Sequence, residues 1–328
     1  MRIATIKITV LLLAGVLSGF FVHAQLVPDA LSLAASPSSP SPEETVTVQA
    51  ATPTFDKNTA FFSWSIDGKT RPDLSGAGKD SVTFIAGTVG SATRVNVDVS
   101  RSDGEGNSAS LMVMVSDLSL PWFAETYTPK WYAGKALPVA SSVVSVVAVP
   151  QIILNGRALS PQELIYSWDL DDEEGVVSGI GKEVLRVKMS DLPKTSHHVK
   201  VTIEDTGKRI KKEGEIFLVA SAPKVVIYPS SPLGGGEWRA AAAVFTASVD
   251  KLLDFVAEPF FFSAASKKNL SYRWDVAGAE VFGSPQNPHI LTLNTEGFAE
   301  GTIPLSVSVD DKDDLVSPAF GSFNLQIQ

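Results

Sequence analysis

Apolar and polar residues alternate along most of this chain, and the alternation recurs with a long period. In one recurring segment, apolar residues stand at every second position and so share one face of a predicted strand. These residues lie 31, 33 and 35 positions after a tryptophan in each copy: Val95, Val97 and Val99; Val199, Val201 and Ile203; Leu305, Val307 and Val309. Polar turn residues and a second alternating strand follow each time. The pattern predicts an all-β chain built from three copies of one unit.

An aromatic-x-Trp motif marks the same position in each copy. It reads Phe62-Ser63-Trp64, Tyr166-Ser167-Trp168 and Tyr272-Arg273-Trp274, with the tryptophans 104 and 106 residues apart. Roughly 100 residues make one immunoglobulin-like sandwich, in which a tryptophan on the third strand fills the space between two sheets. We therefore predict that Trp64, Trp168 and Trp274 are structural core residues. The alternative is an aromatic platform for a sugar.

The chain resembles the immunoglobulin-like superfamily and, within it, the PKD-like modules common on bacterial surface proteins. The segments from Tyr166 to Asp171 and from Val199 to Asp205 are most similar to the aromatic-x-Trp-Asp and Val-x-Val-x-Val-x-Asp segments of that family. The resemblance extends from about Leu31 to Gln328. It implies three tandem immunoglobulin-like (PKD-like) β-sandwich domains.

The N-terminus is typical of an export signal. Arg2 and Lys7 precede an uncharged apolar run from Ile8 to Val22, and Ala24 is the small residue that suits cleavage before Gln25. A retained anchor helix is the alternative. We predict a signal peptide at 1–24 and sandwiches at 25–118, 119–221 and 222–328. The export signal predicts an extracytoplasmic location for the sandwiches: secreted, periplasmic or at the cell surface.

Two further features bear on how these predicted sandwiches are arranged. The linkers between them are only a few residues long, so neighbouring sandwiches are expected to touch and form a semi-rigid rod. A second uncharged apolar stretch, Leu137 to Leu154, contains Pro138 and Pro150 and a β-branched run. Because β-branched residues favour strands, this stretch predicts a pair of buried strands and not a membrane helix.

Composition restricts the chemistry. The chain contains no cysteine, which excludes disulfides, thiolate metal sites and thiol catalysis. Its formal net charge of −9 disfavours nucleic acid as a partner. The single basic cluster, Lys208 to Lys212, is interpreted as a solvated hairpin turn. His197 and His198 are adjacent on a predicted strand and point to opposite faces, so they cannot bind one metal together, and surface positions are expected for both.

Acidic turns are the remaining candidates for a metal site. Carboxylate oxygens are the ligands that Ca²⁺ prefers. Solvated turns and weak Ca²⁺ sites stay open as alternatives for two clusters, which contain Asp169, Asp171 and Asp172 in the second copy and Asp310, Asp311 and Asp313 in the third. No catalytic constellation and no cofactor-binding motif is recognised.

These patterns favour a non-catalytic exported protein whose tandem sandwiches act as a spacer and a protein-interaction module, in adhesion or in assembly, with an envelope or surface protein as partner. Contact with a membrane would then occur only through an uncleaved N-terminal segment. The alternative is a carbohydrate-binding accessory protein with aromatic side chains exposed in a row. Its candidates are the segment Phe260 to Phe262 and the aromatics at the start of the second copy: Trp122, Phe123, Tyr127, Trp131 and Tyr132. Packing between domains and in the core is the other role considered for the latter group.

Overall fold

The chain is all-β. The computed structural model describes residues 31–52, 56–101, 104–231, 235–238, 241, 243–263, 269–312 and 318–328, and the predicted signal peptide lies outside them. Apart from a 3-10 turn at Pro161–Glu163, the regular elements described are β-strands. They form three immunoglobulin-like sandwiches. In each, the sheet that contains the tryptophan strand packs on a second sheet, whose strands come from before and after the tryptophan strand in the sequence.

The first sandwich packs two sheets around one core. One sheet has the order β1-β2-β6 and the other β4-β3-β7-β8, with β5 pairing with β3. The strands are β1 (Ser32–Ser36), β2 (Thr45–Ala51), β3 (Phe61–Ile66), β4 (Lys69–Thr70), β5 (Gly76–Ala77), β6 (Ser81–Ile85), β7 (Ala92–Ser100) and β8 (Gly106–Met114). Their inward residues form a single buried cluster.

The second sandwich repeats this arrangement. Its sheets have the orders β10-β11-β17 and β16-β15-β18-β19, with β12-β9 and β13-β14 as small ribbons. The strands are β9 (Asp117–Ser119), β10 (Trp122–Ala124), β11 (Val143–Val147), β12 (Val149–Gln151), β13 (Ile153–Leu154), β14 (Arg157–Ala158), β15 (Leu164–Leu170), β16 (Glu173–Ile180), β17 (Val184–Lys188), β18 (Ser196–Asp205) and β19 (Lys211–Val219).

The third sandwich adds one strand to each sheet of the second sandwich's pattern, namely β21 and β22. Its sheets have the orders β21-β20-β23-β26 and β22-β28-β27-β24-β25, and β22 pairs in parallel with the end of β28. The strands are β20 (Lys224–Ser231), β21 (Gly235–Gly236), β22 (Val244–Ala247), β23 (Leu252–Phe260), β24 (Leu270–Val276), β25 (Ala279–Val281), β26 (Ile290–Asn294), β27 (Gly301–Asp311) and β28 (Ala319–Ile327).

The tryptophans occupy the same register position in all three sandwiches. Trp64 lies opposite Val97, Trp168 opposite Val201 and Trp274 opposite Val307. The three tryptophan side chains expose 0%, 0% and 1% of their surface. Each indole N–H donates to a main-chain carbonyl on the opposite side of the core: that of Lys79 at 2.9 Å, Lys182 at 2.7 Å and Pro288 at 3.1 Å. This bond satisfies the one polar atom of a buried indole.

A close crossing of two strands recurs in the second and third sandwiches. Gly214 in β19 and Gly321 in β28 lie opposite the valine that faces the tryptophan. A Cβ atom added at Gly214 would lie 2.7 Å from Leu118 Cδ2, and one at Gly321 would lie 3.0 Å from the carbonyl oxygen of Val225. Glycine at these two positions lets the first strand of the second and third sandwiches lie close to the last strand.

The apolar stretch from Leu137 to Leu154 forms strands. It contains β11, whose residues alternate between buried and half-buried, and Ala148 and Ile152 belong to the core of the second sandwich. Within the described residues, no helix has the length and the apolar character that crossing a bilayer would require.

Candidate functional site

The aromatic residues at the start of the second sandwich meet aromatic residues of the third. Trp131 stacks on Trp238, with ring centroids 5.0 Å apart and an angle of 21° between the ring planes. Tyr228 and Phe260 contact Trp131 edge-on at 5.5 and 5.8 Å. Tyr132 lies against Phe260 and Phe261. We call these six side chains the junction cluster: Trp131, Tyr132, Tyr228, Trp238, Phe260 and Phe261.

Main-chain hydrogen bonds fasten the same junction. The amide of Tyr127 donates to the carbonyl of Phe262, and the amide of Phe261 donates to the carbonyl of Tyr127, both at 2.7 Å. The hydroxyl of Tyr127 also donates to Glu258 Oε1 at 2.7 Å. Burial and this hydrogen bond to a carboxylate raise the pKa of Tyr127, so its hydroxyl remains a donor over the whole physiological range.

This packing corrects the expectation of an exposed aromatic row. Phe260, Phe261 and Phe262 expose only 6%, 4% and 5% of their surface, so they cannot present a platform to a sugar. Trp131 is 37% exposed and shares its ring face with Trp238. Of the five aromatics at the start of the second sandwich, Phe123 points furthest into solvent, while the ring of Trp122 lies under the ammonium group of Lys135 at 3.2 Å.

The basic cluster contains an unexpected buried residue. Lys212 was predicted to lie in a solvated turn, but it follows that turn as an inward-facing residue of β19 and is only 8% exposed. Its ammonium group donates to the main-chain oxygen of Ser39 at 3.0 Å and to Ser41 Oγ at 2.8 Å. Burial lowers the pKa of Lys212, against the attraction of Glu44 and Asp117. The prediction was wrong because strand alternation, which turns Ile210 and Lys212 inward, continues directly after the turn.

A cleft of about 380 Å³ adjoins Lys212 between the first and second sandwiches. Its lining comes from the segment Pro37 to Ser41 on one side and from β19 and Leu118 on the other. The hydroxyls of Ser39 and Ser116 are hydrogen-bonded at 2.7 Å, and the amide of Ser116 donates to the carbonyl of Pro40 at 3.0 Å. The segment Pro37 to Ser41 of the first sandwich is therefore tied both to Ser116, just after β8, and to the second sandwich.

The acidic residues of the second sandwich bind protein donors. Asp169 Oδ1 accepts the amide of Gly175 at 2.8 Å. Asp171 accepts the ring Nδ1–H of His197 at 2.8 Å and the amide of His198 at 2.9 Å. Burial opposes ionisation of Asp171, but these hydrogen bonds outweigh it and lower its pKa. Asp172 is exposed.

In the third sandwich Asp310 pairs with Arg273 at 2.8 Å, Asp311 is the last residue of β27, and Asp313 lies outside the described residues. Within the part of the chain that the structure describes, no three acidic or histidine side chains converge on a point that could hold a metal ion.

The two adjacent histidines lie in separate contacts, each with a carboxylate. His197 Nε2 accepts the amide of Ser190 at 3.1 Å, while Nδ1 carries the proton that is donated to Asp171. His198 Nε2 lies 2.9 Å from Glu215 Oε2, and its ring stacks on Phe217 with centroids 4.5 Å apart.

Apart from Phe123, sequence reasoning missed the strongly exposed aromatic side chains among the described residues. Phe61, Phe217 and Phe320 lie on the tryptophan-containing sheets of the first, second and third sandwiches and expose 50%, 61% and 72% of their surface; Phe282, after β25, exposes 87%. The available signal was the strand alternation, which places Phe61, Phe217 and Phe320 beside inward-facing core residues and so on the outer face.

Comparisons with known proteins return structures but no family. No family model matches the chain, and no curated protein matches it. The three N-terminal domains of the bacteriophage RB49 outer capsid protein Hoc are 12% identical, with 91% of this chain and 98% of that one covered and a TM-score of 0.26. The fibronectin-III array of RIM-binding protein is 9% identical, with 86% and 94% covered and a TM-score of 0.29.

A glycan-binding protein also aligns. The Bacteroides ovatus protein SGBP-B, solved with a mixed-linkage heptasaccharide, is 10% identical, with 88% of this chain and 64% of that one covered and a TM-score of 0.24. Similarities this low carry no information about the ligand or partner of this chain. Its description as a tandem array of immunoglobulin-like sandwiches depends on its own sheets and cores.

Proposed function

We propose that this protein is a non-catalytic, exported surface or envelope protein, whose PKD-like sandwiches at 25–118, 119–221 and 222–328 act as a spacer and a protein-interaction module in adhesion or assembly. The observation that carries this proposal is the fastening of both junctions. A chain whose consecutive sandwiches are joined by buried hydrogen bonds and aromatic packing presents its surfaces at defined separations, which suits a spacer. The proposed location is extracytoplasmic.

The outer sheet faces supply candidate contact residues for a protein partner. Exposed aromatic side chains are enriched where proteins bind one another, because they provide a large contact area at a small entropic cost. Phe61, Phe217 and Phe320 provide one such side chain on each sandwich. On this proposal, the partner is an envelope or surface protein that contacts at least one of these faces.

Site-specific photocrosslinking in the native cells tests the proposal. A photoreactive phenylalanine analogue replaces Phe217 or Phe320 in separate variants, and the same analogue at the exposed strand position Thr83 serves as the control. We expect mass spectrometry to find reproducible adducts with one or two surface proteins from Phe217 or Phe320 and not from Thr83. A chain recovered free in the medium with no protein adduct from any position would contradict the proposal.

Carbohydrate binding is the alternative function, and a thermal-melting experiment distinguishes it. If it holds, the purified protein melts at a higher temperature with an oligosaccharide and shows no shift with envelope extract. The buried position of Phe260, Phe261 and Phe262 argues against this alternative, because the row of exposed aromatics that it requires is not formed there.

A further inference from the structure

Lys212 occupies a position that holds a buried apolar residue in the third sandwich and an exposed polar residue in the first. It points inward from β19, and the equivalent residue in the third sandwich is Ala319, which is 3% exposed and part of the core. The equivalent residue in the first sandwich is the exposed Asn107. The lysine is therefore not explained by the core of its own sandwich.

The partners of Lys212 lie in the first sandwich. Its ammonium group reaches the carbonyl oxygen of Ser39 and the hydroxyl of Ser41, which are separated from it by 173 and 171 residues of sequence. The amide of Ser41 in turn donates to Glu44 Oε2 at 2.7 Å, which holds the turn that carries both acceptors. Nearby, Met114 at the end of β8 packs against the core of the second sandwich.

A buried ammonium group contributes geometry more than stability. Removing a charge from water is costly, and that cost is offset only where hydrogen-bond acceptors stand in the correct places. A tilt of the first sandwich that moved Ser39 and Ser41 away would deprive the ammonium group of both acceptors. An apolar contact, which has no directional requirement, would tolerate the same tilt.

We propose that Lys212 is the clasp that sets the angle between the first and second sandwiches, so that this angle is a fixed property of the folded chain. The contacts at the first junction differ from those at the second junction, which combines main-chain hydrogen bonds with the junction cluster. The clasp is independent of the identity of any partner. Loss of protein adducts in the crosslinking experiment would leave it untouched, and a flexible first junction would not by itself remove the proposed partner.

Pulsed electron–electron double resonance, which measures the distance between two spin labels, tests the role of Lys212. The chain contains no cysteine, so Thr83→Cys on β6 and Ser178→Cys on β16 give two unique labels at exposed positions of the first and second sandwiches. We expect a single narrow distance distribution in the doubly labelled parent. Lys212→Met retains the apolar stem and removes the donors, and we expect it to broaden the distribution about twofold, as for unfastened neighbouring domains.

Lys211→Met is the matched control, since Lys211 is the exposed neighbour that pairs with Glu213 on its own strand. Its distance distribution is expected to equal that of the parent. Thermal unfolding of both variants establishes that the sandwiches remain folded. Ser41→Ala, which removes one acceptor on the first sandwich and leaves β19 unchanged, gives an independent test. Equal widths in the parent, Lys212→Met and Ser41→Ala would overturn the proposal, as would a broad distribution in the parent.

Discussion

At the scale of single residues, each sandwich is centred on one indole. The tryptophan side chain fills the space between the sheets and donates its N–H to a loop carbonyl 14 or 15 residues further along the chain. The apolar ring removes a large area from water, while the hydrogen bond ties the loop to the core. With no disulfide available, these contacts carry much of the stability of each sandwich.

Replacing Trp168 by alanine tests this role. We expect Trp168→Ala to lower the free energy of unfolding of the second sandwich by roughly 3–5 kcal/mol, because it leaves a cavity and an unpaired carbonyl at Lys182. Differential scanning calorimetry of the variant would show the loss. Phe123→Ala, which removes an exposed aromatic of the same sandwich, is the control and should change stability by less than about 0.5 kcal/mol. Unchanged melting of Trp168→Ala would contradict a core role.

Tyr166 offers a second test, because its buried hydroxyl has no hydrogen-bond partner within the described residues. The equivalent residue in the first sandwich is Phe62, which is fully buried, so a phenyl ring fits this position. An unsatisfied buried hydroxyl costs about 1–3 kcal/mol. We therefore expect Tyr166→Phe to be at least as stable as the parent in urea denaturation at pH 7, and a clear destabilisation would show that the hydroxyl is paired.

The pH dependence of the same variant follows from the tyrosine pKa. Burial, together with the nearby charge of Glu183, raises the pKa of Tyr166 to about 12. In the unfolded chain a tyrosine titrates at about 10. Because the pKa of Tyr166 is higher in the folded than in the unfolded chain, the protonated tyrosine contributes to the free energy of unfolding. That contribution is complete below about pH 10 and is lost as the pH rises from about 10 to about 12. Tyr166→Phe should therefore lose less stability than the parent across this interval, and parallel curves would contradict the assignment.

At the scale of elements, strand alternation and close strand crossings determine each sandwich. The alternating strands around Val97, Val201 and Val307 follow directly from the sequence, whereas the crossing of the first strand over the last strand is visible only in three dimensions. The first sandwich has Ala109 at the position of Gly214 and Gly321, so its strands cross with room for a methyl group. The glycines mark a tighter crossing in the other two sandwiches.

Gly321→Ala tests this crossing. The new Cβ would lie 3.0 Å from the carbonyl oxygen of Val225, a main-chain atom that cannot rotate away, so we expect a loss of about 1–3 kcal/mol in the free energy of unfolding. Gly214→Ala should cost less, because the nearest atom there is the end of the flexible Leu118 side chain. Chemical denaturation of both variants gives the comparison, and equal or reversed losses would contradict this explanation.

At the scale of the whole molecule, the two junctions determine how the sandwiches act together. The first junction depends on the directional contacts of Lys212, and the second on aromatic packing with the Tyr127 hydrogen bonds. Short linkers in the sequence predict that neighbouring sandwiches touch. They carry no information about which side chains make the contact, because that depends on the angle between consecutive sandwiches.

Truncating Trp131 tests the second junction. We expect Trp131→Ala to separate the unfolding of the second and third sandwiches into two transitions, because it removes the ring that contacts Trp238, Tyr228 and Phe260. Calorimetry would show a single coupled transition for these two sandwiches in the parent and two in the variant. Phe123→Ala, on the same sandwich and exposed, should leave the transitions coupled, and coupled unfolding in Trp131→Ala would contradict a fastening role.

The candidate sites show why side-chain contacts could not be predicted from the sequence. The acidic run at Asp169 to Asp172 suggested a cation site from composition alone, but the direction of each carboxylate depends on which amide or imidazole lies beside it. His197 and His198 point to different partners, in keeping with their adjacent positions on one strand. Strand alternation could also have predicted that Phe61, Phe217 and Phe320 are exposed, because each stands next to an inward-facing residue of its strand.

The sequence by itself determined the all-β class, the threefold repeat and the register of the tryptophan strands, because these depend on apolar periodicity between residues close along the chain. The tertiary structure decided the rest. Trp131 and Trp238 are 107 residues apart, and Lys212 and Ser39 are 173 apart, so their contacts exist only after whole sandwiches have formed and docked. Local patterns cannot encode such pairs, since the docking geometry is set by the surfaces of two completed domains.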